Sequence, residues 1–232
     1  MTSLASAVRS VLSSSPDITR QTSLRRSTTL FSQGQLADSV YYVEDGLVKL
    51  TRTNQSGDRI ILTIRGPGHL LGEEALVKGE QTYYSEAVVL TTANIFKVPC
   101  EILNNAIAGS PELAGSLISY LLARRMALAE KVELLCLHDV EYRILHYLAE
   151  LSAVVKPQDE IEGYQLPITQ LELADLIGAT RETTSTTLNQ LERRGLLKLS
   201  RRMLTVPSPD LLRNAALAKL NSPSMTVQTA QV

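Results

Sequence analysis

Apolar positions change period twice along this chain. From Thr28 to Val98 short β-branched and aromatic runs alternate with turns: Ser39 to Val43, Leu47 to Thr53, Arg59 to Ile64, Tyr84 to Leu90 and Ala93 to Val98. Gly34, Asp45-Gly46, Ser56-Gly57 and Gly66-Pro67-Gly68 punctuate them where a strand must reverse. The pattern predicts a small antiparallel β-barrel or jelly roll. From Pro111 to about Leu137 the period becomes helical, with Leu113, Leu117, Leu121, Leu128, Val132 and Leu135 recurring and neither Gly nor Pro after Gly115. Such a helix is about 35 Å or more long, too long for one small barrel to cover. Its spacing predicts pairing with a second copy in a parallel coiled coil; the competing reading lays it across the barrel.

His138-Asp139 breaks the helical period, and Asp139 suits the N-cap of a further helix from Val140 to Val154. A polar loop, Lys156 to Gly163, comes next. Residues 169–195, TQLELADLIGATRETTSTTLNQLERRG, then read as two short helices around the turn Gly178-Ala179-Thr180. Leu171, Leu173, Ala174, Leu176 and Ile177 form the apolar stripe of the first helix, and Thr180 can cap the second. At 100° per residue, Arg181, Glu182, Ser185, Thr186, Asn189 and Arg193 fall on one face. Thr184, Thr187, Leu188 and Leu191 fall on the other. A polar face that starts at a helix N-terminus is what a helix-turn-helix presents to the major groove. Arg181 can pair with guanine O6 and N7, and Glu182 can accept from cytosine N4. Leu196 to Leu199 and Met203 to Val206, separated by Ser200-Arg201-Arg202, suggest a hairpin wing with a basic tip for phosphate. The plainer alternative for the helix pair alone is a solvated helical hairpin.

Composition narrows the classes. A chain of 232 residues, 44% apolar, can bury one or two cores. Its net charge of −1 gives no general attraction to nucleic acid, so DNA affinity has to be local. From Gln165 to Val206 there are six basic residues (Arg181, Arg193, Arg194, Lys198, Arg201, Arg202) and four acidic ones (Glu172, Asp175, Glu182, Glu192), a net of +2. Cys100 and Cys136 stand beside apolar residues and read as buried free thiols of a reducing, cytoplasmic protein. His69, His138 and His146 are scattered, so no metal site is expected. No apolar run predicts a membrane span or secretory signal, and the leader reads as a frayed helix and arm. With no phosphate-binding loop, nucleophile motif or assignable carboxylate pair, an enzyme is not expected.

An antiparallel barrel carrying Gly72-Glu73, a long helix ending in Leu137-His138-Asp139-Val140, and Ala179-Thr180-Arg181-Glu182-Thr183, in this order, resemble the bacterial family of the cyclic AMP receptor protein and the fumarate and nitrate reductase regulator. The likeness spans about residues 25 to 210. It implies an α+β homodimeric transcription regulator with a cyclic-nucleotide-binding-like barrel, a dimerisation helix and a winged helix-turn-helix, acting on double-stranded DNA beside RNA polymerase. In it Arg181 and Glu182 match the family's base-contacting pair, and the DNA-contacting positions expected overall are Thr169, Gln170, Thr180, Arg181, Glu182, Ser185, Thr186, Asn189, Arg193, Arg201 and Arg202. Thr186 stands where the family usually carries a further arginine, and Thr184 and Thr187 where it packs Val or Ile.

The sensory site departs further from the pattern. Cyclic AMP binders neutralise the phosphate with a loop arginine, whereas Glu80-Gln81-Thr82-Tyr83-Tyr84-Ser85-Glu86 contains none. Leu128 and Ala129 replace the helix hydroxyls that meet adenine. Cysteine ligands for a cluster and a haem ligand set are also missing, so no cofactor is expected. The resemblance is to members preset for DNA without a small molecule. The alternatives are an unidentified effector in a pocket formed by Gly72, Glu73, Gln81, Thr82, Tyr83 and Leu128, or a regulatory module that docks a protein partner. The expected division is an arm or helix at 1–24, a sensory barrel at 25–110, a dimer helix at 111–138 bearing Leu117, Leu121, Leu128, Val132 and Leu135, a DNA-binding domain at 139–215 and a flexible tail at 216–232.

Overall fold

The computed structural model describes residues 4–13, 15–155, 163–200 and 203–220. They fall into two compact units, Met1–Val132 and Glu133–Val232, so the division lies inside the long helix and before the His138-Asp139 break. In the first unit helix α1 (Leu4–Leu12) precedes strands β1 (Thr19–Leu24), β2 (Thr29–Phe31), β3 (Ser39–Asp45), β4 (Val48–Thr53), β5 (Arg59–Arg65), β6 (Leu70–Leu71), β7 (Glu86–Val89) and β8 (Ala93–Pro99). They make two antiparallel sheets in the orders β1-β8-β3-β6 and β2-β7-β4-β5, and side chains of both enter one core.

Strands β3, β4, β5, β7 and β8 lie on the five runs expected from the sequence. Strand β1 does not: Thr19–Leu24 is polar and mostly exposed, and its place in the sheet comes from pairing with β8. The sheet therefore begins inside the segment expected to be an arm. Nor is α1 frayed away from the unit, because Leu4, Val8 and Val11 are buried in the barrel's own core.

Tyr83 organises that core. Its ring stacks on Phe31 at 4.0 Å between centroids and tilts against Tyr41 at 6.4 Å. Its hydroxyl donates to the Ser39 carbonyl at 2.7 Å and accepts from the Ser39 amide at 3.3 Å. Burial pushes the phenol pKa upward, so the group stays neutral. Tyr83→Phe is expected to lower stability by about 1–3 kcal/mol, since two buried backbone groups lose their partner. Urea unfolding at an unchanged m-value would read this; an unchanged midpoint would show that the two bonds contribute nothing net.

Helix α2 (Cys100–Gly109) leads into α3 (Pro111–Leu137). Leu113 and Leu117 are buried in the barrel core, and the same side carries Tyr120, Arg124 and Lys131 onto barrel groups. Leu117 is thus corrected from a dimer position to a core one. Two sides of the helix carry apolar residues, and heptad spacing alone does not separate them. Roughly a quarter turn away at 100° per residue, Ile118, Leu121, Leu128 and Val132 form an exposed stripe, 59%, 41%, 58% and 55% accessible. Cys136 is exposed and Cys100 only half-buried, against the expectation of two buried thiols.

The second unit holds α4 (Val140–Val154), β9 (Tyr164–Leu166), α5 (Gln170–Ile177), α6 (Arg181–Arg193), β10 (Lys198–Leu199), β11 (Leu204–Val206) and α7 (Pro209–Leu220). Its three-stranded antiparallel sheet has the order β10-β11-β9. Leu145, Leu148, Leu173, Ile177, Leu188, Leu191, Leu204 and Leu212 are buried in this unit. Strand β9 completes the expected wing hairpin as a third strand. Helix α7 runs to Leu220 with Leu212 and Ala216 buried, so ordered structure continues into the stretch expected to be a tail from 216.

Candidate nucleic-acid interface

Each half of the helix pair is capped by its own sequence. Thr169 and Glu172 form a reciprocal capping box on α5: the Glu172 amide donates to Thr169 Oγ1 at 3.1 Å, and the Thr169 amide donates to Glu172 Oε2 at 2.9 Å. The Thr169 hydroxyl, expected to face DNA, also donates to Glu172 Oε2 within this box. Gly178 ends α5 at φ 64°, a left-handed conformation that glycine adopts without strain. A Cβ there would come within 2.9 Å of Leu135 Cδ2, the movable end of a side chain, so the backbone conformation and not the space is what calls for glycine. Thr180 then caps α6, its Oγ1 accepting from the Thr183 amide at 3.2 Å.

The two faces of α6 separate as the spacing predicts. Thr184, Leu188 and Leu191 are buried. Thr184 resolves its polarity by donating to the Thr180 carbonyl at 2.9 Å, and Thr187 likewise donates to Thr183 at 2.8 Å. Arg181, Glu182, Thr186, Asn189 and Arg193 are exposed, and Ser185 is half-buried. Among the described residues none of these six side chains makes a hydrogen bond or ion pair within the protein. A row of donors and acceptors without internal partners, starting at a capped N-terminus, can exchange water for base edges at no cost in internal bonds. Gln170 is half-buried at the start of α5.

Five further contacts brace the unit around α5 and α6. The Leu199 amide of β10 donates to Glu192 Oε1 at 2.7 Å and fixes the wing strand to α6. Arg143 of α4 donates to the Ile177 carbonyl at 2.7 Å, satisfying the C-terminus of α5 just before the Gly178 turn. Arg194 bonds Glu141 at 2.6 Å, and Lys219 reaches both Asp139 and Glu141 at 2.9 Å. Burial opposes the charge on Asp139 and Glu141. Even so, the Tyr142 amide and Lys219 hold Asp139, and Arg194 and Lys219 hold Glu141, below the ordinary carboxylate range. Arg194 is therefore committed inside the unit, and its charge is compensated there. The wing tip, Arg201 and Arg202, lies outside the described residues.

The residues expected to form an effector pocket are not all brought together. Gly72 meets the Tyr83 ring, where a Cβ would approach Cε1 to 2.8 Å at a φ of 75°. Tyr83 is buried and fills the barrel interior, which corrects its expected place in a pocket wall. Gln81 donates to the Lys78 carbonyl, Thr82 pairs with Leu36, and Leu128 is on the exposed stripe of α3. Glu73 is ion-paired with Arg124 of α3. Arg124 eluded a reading that looked for an arginine in the loop. Its spacing from Tyr120 and Lys131 places all three on one side of the helix, and that is the signal by which the sequence could have found it. Burial and the nearby Arg65 lower the Arg124 pKa to about 10, so it remains charged at neutral pH. No group of metal-ligating side chains occurs among the described residues.

The cyclic nucleotide-binding domain model matches residues 21–110, and the Crp-like helix-turn-helix domain model matches residues 142–215. The chain is 28% identical over 186 residues to the global nitrogen regulator of Synechococcus elongatus, covering 79% of this chain and 84% of that protein. It is 29% identical over 196 residues to the CRP-like cAMP-activated global transcriptional regulator of Mycobacterium tuberculosis, covering 82% and 85%. A solved CRP-family transcriptional regulator from Thermus thermophilus aligns with a TM-score of 0.72 at 25% identity over 85% of this chain and 96% of that one. The c-di-GMP responsive global regulator CLP of Xanthomonas campestris shares the fold, with a TM-score of 0.72 at 24% identity over 87% and 98%. A β-barrel unit, a long helix and a winged helix-turn-helix define a DNA-binding transcription regulator, and the matching proteins are regulators rather than enzymes. The chain belongs to the family of the cyclic AMP receptor protein and the fumarate and nitrate reductase regulator.

Proposed function

We propose that the chain is a homodimeric, sequence-specific regulator that reads a near-palindromic duplex with one α6 from each copy, without needing cyclic AMP. The row Arg181, Glu182, Ser185, Thr186, Asn189 and Arg193, exposed or half-exposed and without internal partners, carries this reading. The apolar stripe of α3 supports the dimer, because two copies would cover one another's Ile118, Leu121, Leu128 and Val132. Independence from cyclic AMP rests on the barrel. Its loop has no arginine, Glu73 is paired with Arg124, and Leu128 offers adenine no hydroxyl. The family does not fix one effector, since its relatives include a cAMP-activated regulator and a nitrogen regulator. No single helix among the described residues is long and apolar enough to cross a membrane. The regulator acts in the cytoplasm beside RNA polymerase.

Selection of duplexes from a random pool tests this reading directly. A two-fold-symmetric site should be enriched, with affinity falling steeply as salt rises because phosphate contacts release counterions. Added cyclic AMP should leave the enrichment unchanged. Absence of any symmetric site would favour a module that docks a protein partner.

A further inference from the structure

Strand β3 alternates its side chains between the two faces of its sheet. Tyr41 turns toward Tyr83 in the barrel interior, so Tyr42 lies on the other face, in register with Phe96 of β8, which is itself in register with Arg20 of β1. The C-terminal half of α1 lies against this row and leaves a pocket of about 240 Å³ between helix and sheet. Leu12, Tyr42 and Phe96 give it apolar walls, and Arg9, Ser13 and Glu44 give it polar groups. Three of its polar groups have bonding capacity to spare. Tyr42 is only 2% exposed, yet its hydroxyl makes no hydrogen bond among the described residues. That oxygen is not among the sealed atoms that lack a partner, so the remaining exposure reaches it, and the space it faces is the pocket. A buried tyrosine that merely fills space ends on an acceptor, as Tyr41 and Tyr83 do on the carbonyls of Leu30 and Ser39. Glu44 accepts from Arg20 Nε at 2.9 Å and Nη2 at 2.7 Å with Oε2 alone, which leaves Oε1 open. The Arg9 guanidinium makes no hydrogen bond or ion pair among the described residues.

We propose that the pocket under α1 binds a free apolar or aromatic α-amino acid, its carboxylate on Arg9, its ammonium on Glu44 and its side chain against Phe96 and Tyr42. A zwitterion answers both charges of the lining at once. An apolar acid would set its carboxylate beside Glu44 with no cation of its own, and an apolar amine would set its ammonium beside Arg9 with no anion of its own. The unbonded Tyr42 hydroxyl donates to or accepts from whichever end of the head group reaches it. The volume is below the roughly 300–1,000 Å³ of clefts that hold drug-sized ligands, so the occupant has to be compact. None of the lining residues belongs to α3 or to the segment 72–86. Binding here is therefore separate from any effector of the barrel interior, and it does not rest on the proposed reading of DNA.

The full-length protein, without DNA, is titrated with L-phenylalanine, L-leucine, 3-phenylpropionate, phenethylamine and glycine while calorimetry and thermal unfolding are followed. L-phenylalanine or L-leucine should bind saturably, one per chain, and raise the unfolding midpoint. The three partial mimics, each lacking one end or the side chain, should bind about tenfold or more weakly. Arg9→Gln, at an exposed position, should weaken the amino acid about tenfold or more by removing a charge-assisted bond. Tyr42→Phe should weaken it about threefold to tenfold and leave the ligand-free midpoint unchanged, because the hydroxyl has no internal partner to lose. A purely structural hydroxyl would instead lower that midpoint. No saturable binding at millimolar concentration, wild-type affinity in Arg9→Gln, or 3-phenylpropionate binding as tightly as L-phenylalanine would each overturn the proposal. The duplex selection stands or falls separately.

Discussion

Arg181→Ala is expected to weaken binding to the selected duplex by about 1–3 kcal/mol and to relax discrimination at one base position in each half-site. The side chain is exposed at the first position of α6 and has no partner within the protein, so its removal should not disturb the fold. Thr180 caps the helix independently of it. The loss should therefore appear in binding and not in thermal unfolding. Anisotropy titration at fixed salt, against a panel of duplexes substituted one base at a time, measures both quantities. Wild-type affinity and wild-type base preference in the variant would remove Arg181 from the reading face.

The second large effect concerns the long helix. Leu128→Glu combined with Val132→Glu should leave each chain folded, because both side chains are more than half exposed. In a two-copy helix pair, however, four carboxylates would enter an apolar seam, where unpaired charge is strongly disfavoured. Light scattering after gel filtration should then report one chain at micromolar concentration. Affinity for a two-half-site duplex should drop by about 10²–10⁴, the factor that linkage of two readers supplies. A variant that stays dimeric would show that the stripe lies outside the interface.

How much of this was legible in the sequence depended on whether each element carries its own pattern. Helices α3 and α6 declare themselves through period, caps and breakers, and the ends of α3 fall where Pro111 and His138-Asp139 place them. Strand β1 and the two-residue β6 have too few apolar residues to register, because they acquire their structure from a partner strand. Helix α7 lies beyond the segment whose pattern fixed the domain, and the ion pairs of Lys219 with Asp139 and Glu141 join residues too distant in the chain for any local window. The exposed polar face of α6 was legible because it lies on one helix. The Arg124–Glu73 ion pair was not, because one member sits mid-helix and the other in the turn after β6, and only folding brings them together.

Gly178 is exposed to solvent, yet the space a side chain would need there is held by Leu135 of α3. Room made by shrinking Leu135 would not license a side chain at 178, because the left-handed backbone there strains any residue with a Cβ. The two positions should therefore drift independently: the end of the helix proposed to join two copies is free to exchange one apolar residue for another, while the turn between α5 and α6 is held to glycine by its own backbone.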